Sequence, residues 1–296
     1  MDVGSGFYDL AIPAKVSPFT TLKEVLIRAL KLGYSTVAIE TVLDEDFFTE
    51  LLKPKRRKKN KSKGDQTKLE MDKPRPSVPI ATKSPIPLEE LANYTADKRQ
   101  PSVFTRLTVY LGEKPTSRWL TVIQKPEFKS YDILSVIPTT IEAMKFACGH
   151  ADIDIVSFDF SQQVPYLSRH SYAQARAREV HFELRYFNLI RQTNLRQDLI
   201  CQSHRLKTLG RSKNIILSSG SDTPWDLRSP IDVHHMCALL NLSEEQAKAS
   251  NTKITQKVIA NSHLRKTVKG FCFVRAIPCG DTEDTVEPQG KRLKVS

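Results

Sequence analysis

The sequence predicts an α/β fold, a closed (β/α) barrel of seven or eight strands, with a disordered basic insertion between the second and third strands. Three observations predict it. Seven short runs rich in β-branched and aromatic residues recur along the 296 residues, as strands buried on both faces do. Helical stretches separate most of them, so successive strands should run parallel. The alternation breaks down over one long block, 44–101. Seven or eight βα units in ~240 ordered residues suit a closed barrel better than an open doubly wound sheet, which stays the alternative on pattern alone.

Taken in order, 7–12 reads as the first strand, closed by Pro13. Residues 21–32 read as a helix, with Leu22, Val25, Leu26, Ala29 and Leu30 on one stripe and Gly33 as its stop. Residues 34–39 form the second strand. From 44 to 101 the periodicity fails: seven of the chain's 17 prolines fall there, with a short helix expected near 88–94. Strands follow at 104–111, with Arg106 inside it, and at 131–137, ended by Pro138. A helix at 140–148, a strand at 153–158 ending at Asp159 and a strand at 181–187 come next. A helix over 193–209 is stopped by Gly210, with Leu195, Leu199, Leu206 and Leu209 facing the core. The last strand, 214–217, breaks at Ser218-Ser219-Gly220, where small residues leave hydroxyls and amides free beyond its end. Ser229-Pro230 starts a helix over 230–240. Helices over 243–250, with Ser243 as cap, and over 252–262 complete a single domain ending near 278. Residues 279–296 read as a disordered tail with a small basic cluster, Lys291-Arg292-Leu293-Lys294.

The net charge is +12, which favours polyanionic partners, nucleic acid or anionic membrane. Eight of those positive charges lie in 53–63, without an acid, and removing them leaves +4 on the rest. This run includes Lys55, Arg56, Arg57, Lys58 and Lys59. It reads as a solvated loop, or as a nuclear-localisation or RNA-contacting arm. No eighteen-residue apolar window exists, so no membrane span is expected. The N-terminus lacks the pattern of a secretory signal. Five cysteines, the closest pair seven apart, form no Cys-x-x-Cys pair and fit a reducing compartment, cytosol or nucleus.

A hydrolase on such a barrel needs ligands at the C-terminal strand ends. Of seven histidines, only His181 falls on an expected strand, a poor set for a metal centre. Asp9, Glu40, Asp159 and Glu183 read as hydrogen-bonding residues of the barrel mouth. Ser218 and Ser219 lack the flanking glycines of a nucleophile elbow and read as satisfying backbone groups at their turn. Candidate RNA-binding residues are better supplied. Arg191 and Arg228 lie in expected mouth loops. Arg196 and Lys207, eleven apart, share one outward helix face, which Arg211 and Lys213 extend. Arg265 and Lys266, with Lys269, make a further cluster. Each set is equally an ordinary solvated surface. There is no aromatic platform of the RNP type, so backbone and shape recognition is the expected mode.

Several segments carry a resemblance in order and spacing: 214–219, then Leu227-Arg228-Ser229-Pro230 with Asp232-Val233, preceded by Phe182-Glu183-Leu184 and Tyr186. They are followed by 239–243 with Ala247 and Ala249, and by Arg265-Lys266-Thr267. From about 7 to 278, less the insertion, the chain resembles the ~30 kDa protein subunit family of ribonuclease P and ribonuclease MRP. The resemblance implies a TIM-barrel-like fold related to metal-dependent phosphoesterases of the PHP type, whose first-strand His-x-His is absent here. It implies a non-catalytic RNA-binding subunit. Ribonuclease P removes the 5′ leader of precursor tRNA, and the MRP particle acts in ribosomal RNA processing. It further implies the two particle RNAs and other protein subunits as partners, one a small α/β protein, with precursor tRNA met indirectly. Catalytic Mg2+ would sit on the RNA, with no cofactor on this chain, in the nucleus and nucleolus. The alternatives are a PHP-like metal-dependent phosphoesterase with an atypical site, and a nuclear adaptor whose insertion only directs import.

Overall fold

The structure is a computed structural model; it describes residues 6–16, 18, 20–44, 46, 78–95, 100–112, 119, 125–191 and 193–266. Lys55, Arg56, Arg57, Lys58, Lys59 and Lys269, most of the expected insertion and the expected tail lie outside the described residues.

Seven strands pair in sequence order, every neighbour parallel: β1 (Phe7–Pro13), β2 (Tyr34–Leu43), β3 (Ser102–Leu111), β4 (Ile133–Pro138), β5 (Ile155–Ser157), β6 (His181–Arg185) and β7 (Ile215–Ser218). The sheet closes on itself just beyond β7. The Ser219 amide donates to Asp9 Oδ1 at 3.0 Å, and the Gly220 amide donates to the Ala11 carbonyl at 3.0 Å. Gly220 has φ +64, and a Cβ there would come within 2.8 Å of Arg185 Cδ, so the seam needs a glycine. The barrel expectation holds, and the open sheet does not.

The helices around it are α1 (Leu22–Lys31), α2 (Leu88–Leu91), α3 (Pro126–Lys129), α4 (Ile141–Gly149), α5 (Arg169–Ala177), α6 (Phe187–Arg191), α7 (Thr193–Gly210), α8 (Pro230–Met236), α9 (Glu244–Ser250) and α10 (Lys253–Lys266). Three of them, α1, α8 and α9, begin in capping boxes at Thr21, Ser229 and Ser243. The outward strand residues Leu107, Val109, Leu134, Val136, Phe182, Leu184 and Leu217 pack beneath the helices in one large core.

Several boundaries differ from expectation for local reasons. Strand β5 starts at Ile155; just before it the Asp154 carboxylate is engaged, Oδ2 taking the Leu134 amide at 2.8 Å and an Arg265 nitrogen at 3.1 Å. Helix α5 has few apolar residues and is not legible as a stripe; Ser168 caps it. Residue 187 belongs to α6 and not to β6. Gly210 does not supply the left-handed turn after α7, which falls on Arg211 and Ser212, both at φ 56. Gly210 makes room instead, since a Cβ would lie 1.7 Å from the Tyr172 ring. Within the expected insertion, α2 and a following 3-10 turn at Ala92–Tyr94 match the short helix expected near 88–94. Val78, Ile86 and Leu91 are buried, so residues 78–95 lie packed on the barrel and ordered chain resumes before 102.

The strand residues that point inward sort into layers. Near the N-terminal ends of the strands, Ala38, Phe104, Ile133, Ile155 and Ile216 make an apolar floor with Tyr8 and Leu10. Helix α10 closes it from below, adding Val258, Ile259 and the partly buried Ile254. Its end is pinned. Arg265 pairs with Asp154 at 3.1 Å, and Lys266 pairs with Asp132 at 2.8 Å.

His181 opens β6 beside this floor. Burial pushes its imidazole down to about 4, and Lys257 adds to the shift. An unfolded histidine titrates near ~6.5, so the folded form has the lower pKa. This contribution to stability is therefore complete above pH ~6.5 and is lost as pH falls towards 4. Over that window His181→Gln should flatten the fall in urea-unfolding free energy by up to about 3 kcal/mol. An unchanged slope would show that the imidazole is solvated.

Candidate functional site

Two residues further along each of six strands, the barrel interior turns polar: Glu40, Arg106, Ser135, Ser157, Glu183 and Ser218, all buried. Arg106 is its centre. Its two terminal nitrogens grip the Glu183 carboxylate side by side, at 2.5 and 2.6 Å. The same nitrogens reach the Leu10 carbonyl at 2.8 Å, Ser157 Oγ at 2.8 Å and Ser135 Oγ at 3.0 Å. Its Nε lies 3.3 Å from Glu40 and donates to Thr108 Oγ1 at 3.2 Å. Ser157 and Ser218 donate to Glu183 at 2.5 and 2.7 Å. Arg185 closes the layer from above, bridging Glu40 at 2.5 Å and Glu183 at 3.1 Å.

Two carboxylates and two guanidiniums thus balance inside the barrel. Burial alone would push the Glu183 carboxyl up, but Arg106 and Arg185 outweigh it and hold the group well below the usual carboxylate range. The guanidinium fork fits a carboxylate at two points, which a lysine cannot do. At the rim, Tyr110 donates to Asp159 at 2.9 Å. Asp9 accepts amides from Ala11 and Ser219. So the four acids expected at the mouth are hydrogen-bonded as the sequence suggested, but Glu40 and Glu183 lie inside the barrel instead of around its edge. Ser218 and Ser219 are likewise engaged, the first with Glu183, the second with Asp9 and Ala11.

The metal centre of a PHP-type enzyme does not fit these residues. A divalent cation in the layer would face two guanidiniums, and both carboxylates already have cationic partners. Among the described residues, no three His, Cys, Asp or Glu side chains gather as a metal site. No described helix is long and apolar enough to cross a membrane.

The expected RNA-binding residues do not converge. Arg191 holds the loop after β7, pairing with Asp222 and, at 2.7 Å, with Asp226. Arg228 donates to the Trp225 carbonyl at 2.8 Å in the same loop. Arg196 donates to the Leu189 carbonyl at 2.7 Å, near the start of α7. Lys207 reaches Asn241 Oδ1 at 2.5 Å, near the other end of α7. Arg211 and Lys213 are exposed beyond that end. Arg265 and Lys266, expected to form a cluster with Lys269, are engaged within the fold. The Arg265 side chain is 5% exposed and, with Lys266, ties α10 to the barrel. What sequence reasoning passed over was the centre. The hints were Arg106, a charged residue amid an otherwise strand-like run, and the acids Glu40 and Glu183 already read as hydrogen-bonding.

Fold and site together define a parallel seven-stranded (β/α) barrel whose interior is locked by an ion-paired network. The family described as RNase P subunit p30 matches residues 6–267, and this chain belongs to it. The chain is 29% identical over 292 residues to the ribonuclease P protein subunit p30 of Mus musculus, covering 98% of each. Against Protein GAMETOPHYTE DEFECTIVE 1 of Arabidopsis thaliana it is 32% identical over 187 residues, 62% of this chain and only 32% of that one. Against the ribonuclease P/MRP protein subunit RPP1 of Saccharomyces cerevisiae it is 20% identical over 204 residues, 69% of this chain and 68% of that one. A chain in a cryo-EM structure of archaeal ribonuclease P with mature tRNA shares the fold, with TM-score 0.57 at 14% identity, covering 91% of this chain and 99% of that chain.

Proposed function

We propose that this chain is a non-catalytic, RNA-binding protein subunit of the ribonuclease P ribonucleoprotein, which removes the 5′ leader of precursor tRNA. The observation that carries the reading is membership of the RNase P subunit p30 family, in a chain whose barrel interior is occupied by the Arg106–Glu183 pair. The chain braces the catalytic RNA and contacts other protein subunits, a small α/β one among them, and meets precursor tRNA through the particle. Catalytic Mg2+ belongs to the RNA, with no cofactor on this chain. The yeast relative's name supports the same role in ribonuclease MRP, and with it a part in ribosomal RNA processing is proposed. The proposed RNA partners and the basic run at 53–63 support a nuclear and nucleolar location, with that run aiding import or RNA contact.

Tagged protein pulled from nuclear extract should bring down one or two discrete structural RNAs, read by sequencing. Recovery of messenger and ribosomal fragments in proportion to their abundance would sink the reading.

Arg211 and Lys213, exposed where α7 ends, are the described candidates best placed to meet phosphates. Arg211→Ala with Lys213→Ala should weaken binding to the particle RNA and lower the slope of log affinity against log salt by about 2, one for each phosphate contact. Filter binding from 50 to 300 mM salt reads this, and an unchanged slope would place the contacts elsewhere.

A further inference from the structure

Helices α5 and α7 lie side by side on the flank of the barrel, in contact where Gly210 leaves room for the Tyr172 ring. The two stretches that build this contact carry no acid. Residues 160–178 hold Arg169, Arg176 and Arg178, and residues 199–221 hold Arg205, Lys207, Arg211 and Lys213.

Local geometry sorts these seven cations. Arg169, Tyr172 and Arg176 stand at i, i+3 and i+7, one stripe of α5, and the Tyr172 contact turns that stripe towards α7. The Arg205 guanidinium lies over the Tyr166 ring, 4.2 Å from its centroid, which sets it at the Arg169 end. Arg211 and Lys213 follow Gly210 and stand at the other end, past Tyr172. The remaining two turn away. Arg178 donates to the Ala151 carbonyl at 2.7 Å, beyond α4, and Lys207 donates to Asn241.

Five cations therefore line one seam, about 10 Å long on the α5 side. Arg169, Arg176, Arg211 and Lys213 are exposed, and Arg205 is half-buried. Among the described residues none of the five pairs with a carboxylate, whereas Arg191, Lys257, Arg265 and Lys266 elsewhere on the barrel all do. Helix α9 begins beside Arg211, whose carbonyl accepts from Gln246 at 2.9 Å, yet its Glu244 and Glu245 pair with neither Arg211 nor Lys213. Like charges this close repel, and the fold supplies no acid to offset them. A polyanion laid along the seam would.

The surroundings select the polyanion. The outward residues between the α5 arginines are small, Ala173 and Ala177, so the face has no apolar stripe to enter a membrane. Its one large exposed apolar side chain, Tyr166, already carries Arg205, so it lacks the anchor cluster of a protein interface. Cations on rigid helices, without acids or apolar anchors, suit the phosphate backbone of folded RNA.

We propose that the seam between α5 and α7 is a track for the phosphate backbone of structured RNA, with Arg169 and Arg176 of α5 as contacts alongside Arg205, Arg211 and Lys213. The proposal rests on the RNA-binding reading above and locates its surface.

The test uses the full chain and a labelled RNA hairpin of arbitrary sequence with a stem of about 16 base pairs, the length a double-stranded-RNA module spans. Filter binding is read from 50 to 300 mM salt. Arg169→Ala with Arg176→Ala should lower the slope of log affinity against log salt by about 2. Arg169→Lys with Arg176→Lys should keep the slope, because a phosphate accepts either cation. Lys23→Ala with Arg28→Ala is the control. These are exposed cations of α1, set beside Glu24 and Glu90, and their loss should leave the slope unchanged. All six side chains changed are exposed, so circular dichroism should show native folds. An unchanged slope in the α5 alanine pair, or an equal fall in the control, would overturn the proposal. So would release of an acidic protein subunit from the particle by the α5 pair with hairpin binding intact. The pull-down described above separates the two readings. Discrete RNAs recovered with an unchanged hairpin slope would overturn the seam alone, while recovery of RNA in proportion to abundance would overturn the subunit reading.

Discussion

Replacing Arg106 with alanine should lower the unfolding free energy by about 3–5 kcal/mol, the scale for breaking one side of a buried ion pair. The change leaves the Glu183 carboxylate inside the barrel with Arg185, itself at the rim, as its remaining cation. It also strips the Leu10 carbonyl and the Ser135 and Ser157 hydroxyls of a donor. One side chain there ties β1, β4, β5 and β6 to β3, so the loss is felt around the barrel. Arg106→Lys should be nearly as damaging, because an ammonium cannot grip both carboxylate oxygens in the fork geometry. Arg106→Met combined with Glu183→Leu should cost less than the two single changes added, by about 1–3 kcal/mol, since no charge is then left stranded. The pH dependence follows from the depressed Glu183 carboxyl. Its folded pKa is below the unfolded value, so its contribution is present above pH ~4.3 and is lost as pH falls below it. Urea unfolding of Arg106→Ala, Arg106→Lys, the double variant and its two single variants at pH 7 measures the stability changes, and the native chain followed from pH 7 to below 4 measures the pH dependence. Stability of Arg106→Ala within 1 kcal/mol of the native chain, on the scale of a surface change, would mean that the network is not the barrel's lock.

Ile259→Asp should unfold the chain or cost several kcal/mol, by forcing a charge into the apolar floor. Ile259 is fully buried on α10 among Tyr8, Leu10, Phe104 and Ile133. A barrel interior needs side-chain filling from end to end. Here the polar layer occupies the C-terminal half, and the strands' own residues leave the floor to be finished by a helix. Lys257→Ala on the same helix is the control. Its ammonium pairs with Glu179 at the surface, with 54% of its side chain exposed, so its loss should change little. Thermal unfolding of both variants distinguishes a floor from a surface helix. Native-like melting of Ile259→Asp would show that α10 rests on the barrel without closing it.

The strands and most helices were legible because their signals are local. Residues 215–217 are apolar without a break, and Thr21, Ser229 and Ser243 announce helix starts that the structure confirms as capping boxes. Helix α5 was not legible, since Arg169–Ala177 buries only Ser171, Tyr172 and Ala175. The polar layer was half legible. Its acids were recognisable as hydrogen-bonding residues. Their depth depends on the stagger of six strands, which no single strand records. The roles of the cations were least legible, because their partners are far away in sequence. Arg265 meets Asp154 across 111 positions, and Arg191 meets Asp222 across 31. A basic residue whose acid is that remote looks the same in sequence as one waiting for a phosphate.

On the proposed reading, this barrel supports ribonucleoprotein chemistry and performs none itself. The most direct measurement is single-turnover cleavage of a 5′-leader precursor tRNA, by the isolated chain in Mg2+ and by the particle purified through it. The account predicts leader removal by the particle, loss of that activity after the particle's RNA is digested away and the nuclease inactivated, and none from the isolated chain. Cleavage by the isolated chain, undiminished by prior RNA digestion, would contradict it.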